Sequence, residues 1–393
     1  MPAHRMRVIH VITRLIIGGA QENTVATVLG LQSYPGLQVS LVAGPTTGPE
    51  GSLESAFAAR PELLAILPSL FRPVHPWCDL LAWRRLVKMF RADPPRIVHT
   101  HSGKAGVLAR LAAHRAGVPI ILHTIHGPSF GSFQGPLANF AFLAAERRAA
   151  RVTTRFISVA DAMTRQYLAA GVGRPGQFTR IFSGFALEPF LAARNDPAFR
   201  ARLGLAPSDF VVGKIARLFK LKGHDDLIAA APEVLRRHPR TKFLLVGDGS
   251  LRPRLEGRVR ALGLEKNFIF AGLVPPVEIP DYVGVMDVVA HLSRREGLAR
   301  ALPQALAAAR PVVAYDCDGA NEVCFSGQTG FLVPAGDVAA LAGRLAQLAG
   351  DAALRGQLGG RGREFVRENF AVQTMVEKIY ALYQELAAAE RAQ

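Results

Sequence analysis

Cysteine is scarce in this sequence: Cys78, Cys317 and Cys324 are the only three in 393 residues. Three thiols cannot build a disulfide framework, and none belongs to a CxxC pair, so their spacing matches no metal site. A reducing compartment, the cytoplasm, is therefore expected. Long apolar runs are also missing, and none approaches the ~20 residues that span a bilayer. The first such run, Val8 to Ile17, contains His10 and Arg14 and leads into Gly18 and Gly19. It reads as a first strand entering a glycine loop rather than a secretory leader. Gly18-Gly19-Ala20, after the first expected strand, is not GxGxxG, so the dinucleotide fingerprint is absent from that loop. No basic stretch is interleaved with aromatics in the manner of a nucleic-acid module, so nucleic acid is not expected as a partner. Acidic residues are short in the first half. Residues 1–185 hold 20 Lys/Arg against 8 Asp/Glu, a net +12, while the remainder holds 27 against 23, a net +4. Such a half suits an acidic membrane face or a phosphorylated substrate, or it is a surface of solvated arginines.

What is present is a large apolar fraction, 49%, in a chain long enough for two domains. Short apolar runs alternate with helical patterns. In the first half the expected strands are Arg7–Thr13, Gln38–Ala43, Leu63–Leu67, Arg96–Thr100, Pro119–His123, Phe156–Val159 and Phe178–Phe182. Helices are expected at 21–31, 80–90, 103–116 and 161–170. A Gly/Pro-bearing polar stretch, Ser183 to Pro207, reads as the boundary. The second half starts afresh with Val211–Ile215, Lys242–Val246, Phe268–Phe270, Val288–Ala290, Pro311–Tyr315 and Gly330–Val333 as strands, again alternating with helices. This pattern calls for doubly wound parallel sheets.

Polar residues gather where such strands end, which is where open parallel sheets bind ligands. After Val288–Ala290, the loop Ser293–Glu296 precedes a helix read as Gly297–Ala309. Glu296 there could hold sugar hydroxyls while backbone N–H groups near Leu298 and Ala299 hold an anion. It could equally be an acidic residue favoured by the helix dipole. In the loop Ala216–Gly223, Arg217 and Lys222 could neutralise a diphosphate or be surface cations. His99, His101, His123 and His126 crowd two strand ends, but no His-x3-His pair or adjoining Cys/Asp set completes a metal site. Three of them read as hydrogen-bonded turn histidines. His126, before Gly127 at a strand end, can point into a cleft. The aromatic run Ser129–Phe142, with Phe130, Phe133, Phe140 and Phe142, precedes the arginine-rich stretch Glu146–Arg155. That combination suits an anionic membrane surface, or a core helix with a solvated basic end.

Gly18–Gly19, His126–Gly127, Arg217 with Lys222, Gly247–Gly249 and Glu296-Gly297-Leu298 together resemble the GT-B glycosyltransferases of retaining family 4, nearly end to end. The resemblance implies an α/β fold with two Rossmann-like domains facing across a cleft. They would be an acceptor-side domain, 1–185, and a nucleotide-sugar domain, 186–369, with the last helix, 370–393, packing back on the first. It implies transfer of a hexose-type sugar, with retention, from a nucleotide sugar to a glycan, lipid-linked or polysaccharide acceptor. No cofactor or metal is required, and the enzyme acts in the cytoplasm or peripherally at the inner membrane face. Arg217 and Lys222 would hold the diphosphate, and Glu296, beside Gly297 and Leu298, the donor sugar. Gly18, Gly19 and Gly247 would lie close to the ligands, and His126 beside the donor sugar. The leaving phosphate would take the acceptor's proton. Two departures stand out. The family's Glu-x7-Glu has Gln304 at its second position, the usual ribose contact, and Ser183-Gly184-Phe185 replaces the usual Asn-Gly. Gln304 also raises an alternative, a nucleotide-sugar-binding regulatory protein without turnover.

Overall fold

A computed structural model of the chain describes residues 5–46, 51–131 and 134–392. Phe133 of the aromatic run lies outside the described residues. The chain forms two compact units, Met1–Phe185 with Val372–Gln393, and Ala186–Ala371.

The first unit carries β1 (Met6–Ile12), β2 (Leu37–Ala43), β3 (Leu64–Ile66), β4 (Ile97–His101), β5 (Ile120–Ile125), β6 (Arg155–Ser158) and β7 (Phe178–Arg180). They pair in the order β3-β2-β1-β4-β5-β6-β7, every pair parallel. Parallel strands covered on both faces read as nearly unbroken Val/Ile/Leu runs, which is why they were visible in the sequence. The two-residue period sorts them onto faces. Val8, Ile12, Ile97 and Leu122 pack with Val25, Val28, Met375, Ile379 and Tyr383. Ile9, Val11, Val98 and Ile121 pack with Leu86, Phe90, Ala109 and Ala112. The final helix, Val372–Arg391, thus supplies part of the first unit's core.

The second unit carries β8 (Phe210–Ile215), β9 (Thr241–Val246), β10 (Phe268–Gly272), β11 (Val288–His291), β12 (Val312–Tyr315) and β13 (Gly330–Val333). They are ordered β10-β9-β8-β11-β12-β13 and are also all parallel. Strand order reverses between β1 and β4 in one sheet and between β8 and β11 in the other. Such switch points leave a crevice at the carboxyl ends.

Three expectations are corrected. The helix expected from Gly297 spans only Ala301–Ala307, so the N–H groups of Leu298 and Ala299 precede it. Pro303 is the reason: in a helix begun at 297 its ring would strike the carbonyl of residue 299, whereas a first turn tolerates it. The expected boundary stretch contains two short helices, Glu188–Leu191 and Pro197–Arg202, the second capped by Asp196 accepting from the Phe199 N–H. Of the three histidines read as turn residues, His99 and His123 fall within the expected strands and His101 closes β4, one residue past that strand's expected end; all three are buried.

Candidate functional site

In the second unit the switch point is built by glycines that let loops close on one another. Gly247, just after β9, has φ +129°, and a Cβ there would stand 2.3 Å from the Ala216 carbonyl oxygen. Gly223, ending the loop after β8, has φ +69° and comes equally close to the Leu292 carbonyl. Neither place accepts a side chain. The Ala216–Gly223 loop is therefore pressed between the ends of β9 and β11. Backbone bonds fasten it, Leu218 N–H to Asp248 (2.9 Å) and Arg294 N–H to Leu221 (2.8 Å).

This closure brings Lys222 and Glu296, 74 residues apart, into an ion pair. Ser293 Oγ donates to the same carboxylate at 3.2 Å, and the Glu296 N–H donates to Asp318 Oδ2 at 2.6 Å. Both backbone and side chain of Glu296 are thereby fixed, while the side chain stays 32% exposed. Arg217 is exposed, rests over the Phe219 ring at 5.0 Å, and has no ion pair among the described residues. A fixed carboxylate, a paired ammonium and an unpaired guanidinium thus share one strand-end loop system. Gly297 is buried beside Glu296, and Leu298 follows in the same loop. Gln304 lies partly exposed on the short helix Ala301–Ala307.

The sequence reading missed the layer beneath. Lys214, on β8, is buried. Burial lowers its ammonium to about 7, Lys222 adds to the fall, and Asp226 and Glu296 oppose it. His224 and His291, also buried, are lowered to about 3 by burial and by the same two lysines. A lone lysine inside an apolar strand was the available signal. Lysine in an unfolded chain titrates near 10.4. Between that value and 7 the unfolded chain binds more protons than the native one, so stability rises with pH. The penalty on the native state is complete below pH 7 and gone above about 10.4. Lys214→Met should therefore raise the melting temperature most at pH 6 and least at pH 10. Melting curves across that range check it, and a pH-independent difference would contradict it.

In the first unit, Gly18 and Gly19 end the segment after β1. Gly19 opens the helix Gly19–Gly30, and Gly18 is its extended N-cap, accepting from the Glu22 N–H at 2.9 Å. A Cβ on Gly18 would stand 2.9 Å from Gln21 Oε1, the end of a flexible side chain that can turn away, so neither crowding nor φ demands glycine there. His126 follows β5, half-buried, its Nε2 3.2 Å from His101 Nδ1. Burial lowers it to about 4, so it is neutral at pH 7. Behind it lie His10, His99 and His101, buried and in mutual contact.

Two family profiles match the chain, "Glycosyl transferase 4-like domain" over residues 18–181 and "Glycosyl transferases group 1" over residues 195–365. The UDP-Gal:alpha-D-GlcNAc-diphosphoundecaprenol alpha-1,3-galactosyltransferase of Escherichia coli is 28% identical over 321 residues, covering 81% of this chain and 82% of that protein. A GDP-mannose-dependent alpha-(1-6)-phosphatidylinositol monomannoside mannosyltransferase of Mycolicibacterium smegmatis is 32% identical over 286 residues, covering 69% and 72%. Among solved structures, Anabaena Alr3699/HepE in complex with UDP has the same fold, with a TM-score of 0.80 at 22% identity over 97% of this chain and 100% of that one.

Proposed function

Because the chain belongs to the GT-B glycosyltransferases of family 4 type, we propose that it moves a hexose-type sugar, with retention, from a nucleoside-diphosphate donor to a lipid-linked glycan. The observation that carries this reading is the Lys222–Glu296 pair with exposed Arg217 beside it, at the switch point of the second sheet. As the donor departs, charge gathers on its diphosphate. Arg217 and Lys222 meet that charge. These two cations take the part a divalent ion plays elsewhere, so the reaction is proposed to run without a bound metal. Glu296 accepts hydroxyls of the donor sugar, within a loop floored by buried Gly297. His126, neutral, hydrogen-bonds a sugar hydroxyl. The leaving phosphate takes the acceptor's proton, and no protein base is assigned.

Gln304 is assigned to the ribose. An amide there accepts and donates but lacks the charge-assisted strength of a carboxylate. Gln304→Glu should therefore raise nucleotide affinity by up to about tenfold or leave it level, following the 1–2 kcal/mol that separates charged from neutral hydrogen bonds. Calorimetric titration checks this, and a collapse of binding would remove Gln304 from the nucleotide site.

The acceptor assignment rests on the first unit. A cavity of about 240 Å³ there is lined by Val74, Val107, Leu108, Ala141, Phe142 and Ala145, among others. The segments that line it also hold the exposed side chains Trp77 (77%), Leu137 (82%) and Phe140 (70%). Arg72, Arg84, Arg85, Arg147 and Arg148 lie on or next to the same segments. Apolar side chains among cations suit an anionic membrane surface. The Escherichia coli relative is named for a diphosphoundecaprenol acceptor. Among the described residues no helix is long and apolar enough to cross a membrane, so a peripheral position is proposed.

The test is a thermal-shift screen with UDP, GDP and ADP, followed by transfer from the corresponding sugars. Stabilisation that grows with the concentration of one nucleotide identifies the donor base. No shift with any of them at millimolar concentration would overturn the donor-site assignment. Sedimentation with vesicles checks the acceptor side. Trp77→Ser/Phe140→Ser should lose at least tenfold in binding to anionic vesicles, consistent with two buried aromatic side chains at 1.5–3 kcal/mol each.

A further inference from the structure

Six buried or half-buried side chains of the first unit form one hydrogen-bonded file that ends on His126. Thr124 Oγ1 lies 2.6 Å from His99 Nε2, and His99 Nδ1 lies 2.6 Å from the Tyr383 hydroxyl. That hydroxyl is 3.1 Å from His10 Nε2. His10 Nδ1 is 2.9 Å from His101 Nε2, and His101 Nδ1 is 3.2 Å from His126 Nε2. The sheet register makes the file. His10 on β1 pairs with His99 on β4, and His101 pairs with Thr124 on β5. The two-residue period puts His101 on the face of His99, and His126 continues the line of Leu122 and Thr124. Tyr383 comes down onto that face from the final helix. Successive rings stack, His10 on His101 at 5.2 Å and His101 on His126 at 5.4 Å between centroids.

A neutral imidazole has one N–H and one bare nitrogen. His99, His10 and His101 spend both nitrogens on the file, so the tautomer of each dictates the next. With the Tyr383 O–H donating within the file, a neutral file has two self-consistent settings. In one, every donor points from Thr124 toward His126, whose Nε2 accepts and whose Nδ1 carries the proton. In the other, every donor points back, His126 Nε2–H donates to His101, and its Nδ1 is bare. Charging of His99 and His101 is opposed first by burial and then by the neighbouring histidines.

We propose that Tyr383, His10 and His101 are positioning residues that hold the His126 ring in one tautomer and one orientation for the sugar it meets. The proposal rests on the assignment of His126 to the reaction. It also gives the final helix a part in the site, through a side chain 257 positions beyond His126 in the sequence.

The test is a double-mutant cycle on the full chain with Tyr383→Phe and His126→Ala, supported by ¹⁵N spectra of the histidines. Tyr383→Phe keeps the ring in the core and removes only the hydroxyl that joins His99 to His10. It should lower kcat about 10- to 30-fold and leave the donor KM within about twofold, part of the 10²–10³ that one preorganised hydrogen-bonding group supplies. In the His126→Ala background the same change should cost nothing, because Tyr383 acts only through His126. The wild-type ¹⁵N spectrum should show His126 in a single tautomer, of either kind, and Tyr383→Phe should turn it into a mixture. An equal loss of kcat in both backgrounds would make Tyr383 merely structural and overturn the proposal. Full activity of His126→Ala would instead remove His126 from the reaction, a separate failure. Thr124→Val, at the far end of the file, serves the same cycle if Tyr383→Phe does not fold. One zinc per chain in the purified protein, bound by His10, His99 and His101, would also overturn it, since a metal there must open the file.

Discussion

Glu296→Ala is expected to lower transfer by about 10²–10³-fold with the fold intact, the scale seen when one preorganised group at a reacting centre is removed. The carboxylate is fixed before any ligand arrives, by Lys222, by Ser293 Oγ and by the bond from its own N–H to Asp318. Alanine leaves the backbone anchor and removes the group that meets the sugar. Stability should change little, since a partly exposed ion pair is worth about 0–1 kcal/mol. The melting temperature should therefore move by a few degrees at most while kcat collapses. Glu296→Gln keeps hydrogen bonding without the charge and should fall between. Steady-state kinetics beside a melting curve decide the matter. Near-normal kcat in the alanine variant would take Glu296 out of the mechanism.

Removing both cations, Arg217→Ala with Lys222→Ala, is the second large effect. Each charge-assisted bond to a phosphate contributes about 1.5–3 kcal/mol, so nucleoside-diphosphate affinity should fall by at least 10²-fold. The fall in kcat/KM should be larger, because diphosphate charge is greatest as the donor breaks. The two residues differ in what their loss leaves behind. Arg217 has no ion-pair partner among the described residues and rests on the Phe219 ring, so its removal strands none of their charges. Loss of Lys222 leaves Glu296 without its cation but also relieves buried Lys214 of a like charge. The decisive comparison is nucleoside against nucleoside diphosphate in calorimetry. The double variant should bind the nucleoside as before and the diphosphate far more weakly. Equal losses for both would point to a collapsed loop instead.

Most of the fold was legible because parallel strands announce themselves as apolar runs. The helix Gly103–Ala116 and the strand Gly330–Val333 were read at the structure's own bounds. The strand-end positions of Arg217, Lys222 and Glu296 followed from the same alternation. What escaped depended on distance along the chain. That Lys222 and Glu296 form a pair cannot be read from a spacing of 74. The misread start of the Ala301–Ala307 helix was legible after all, in Pro303, and was lost to the pull of an Ala/Leu-rich run. The histidine file was hidden more deeply. His-x-His at 99 and 101 is a same-face pattern in a strand and a meaningless one in a turn, so placing those residues at a strand end erased it. Tyr383 had no local signal, because its partner His10 lies 373 positions away.

The final helix also imposes an order of manufacture. Met375, Val376, Ile379, Leu382 and Tyr383 belong to the core shared with β1, β4 and β5, yet they leave the ribosome after the whole second unit. Residues 186–371 must be made in between, which at 5–20 residues per second takes about 10–40 s. Through that interval the nascent first unit presents an apolar groove with nothing of its own to fill it. Ala186–Ala371, contiguous in sequence, can finish folding while its predecessor waits. A chain cut short at residue 371 would keep that groove open for good, an invitation to chaperones and proteases rather than half an enzyme.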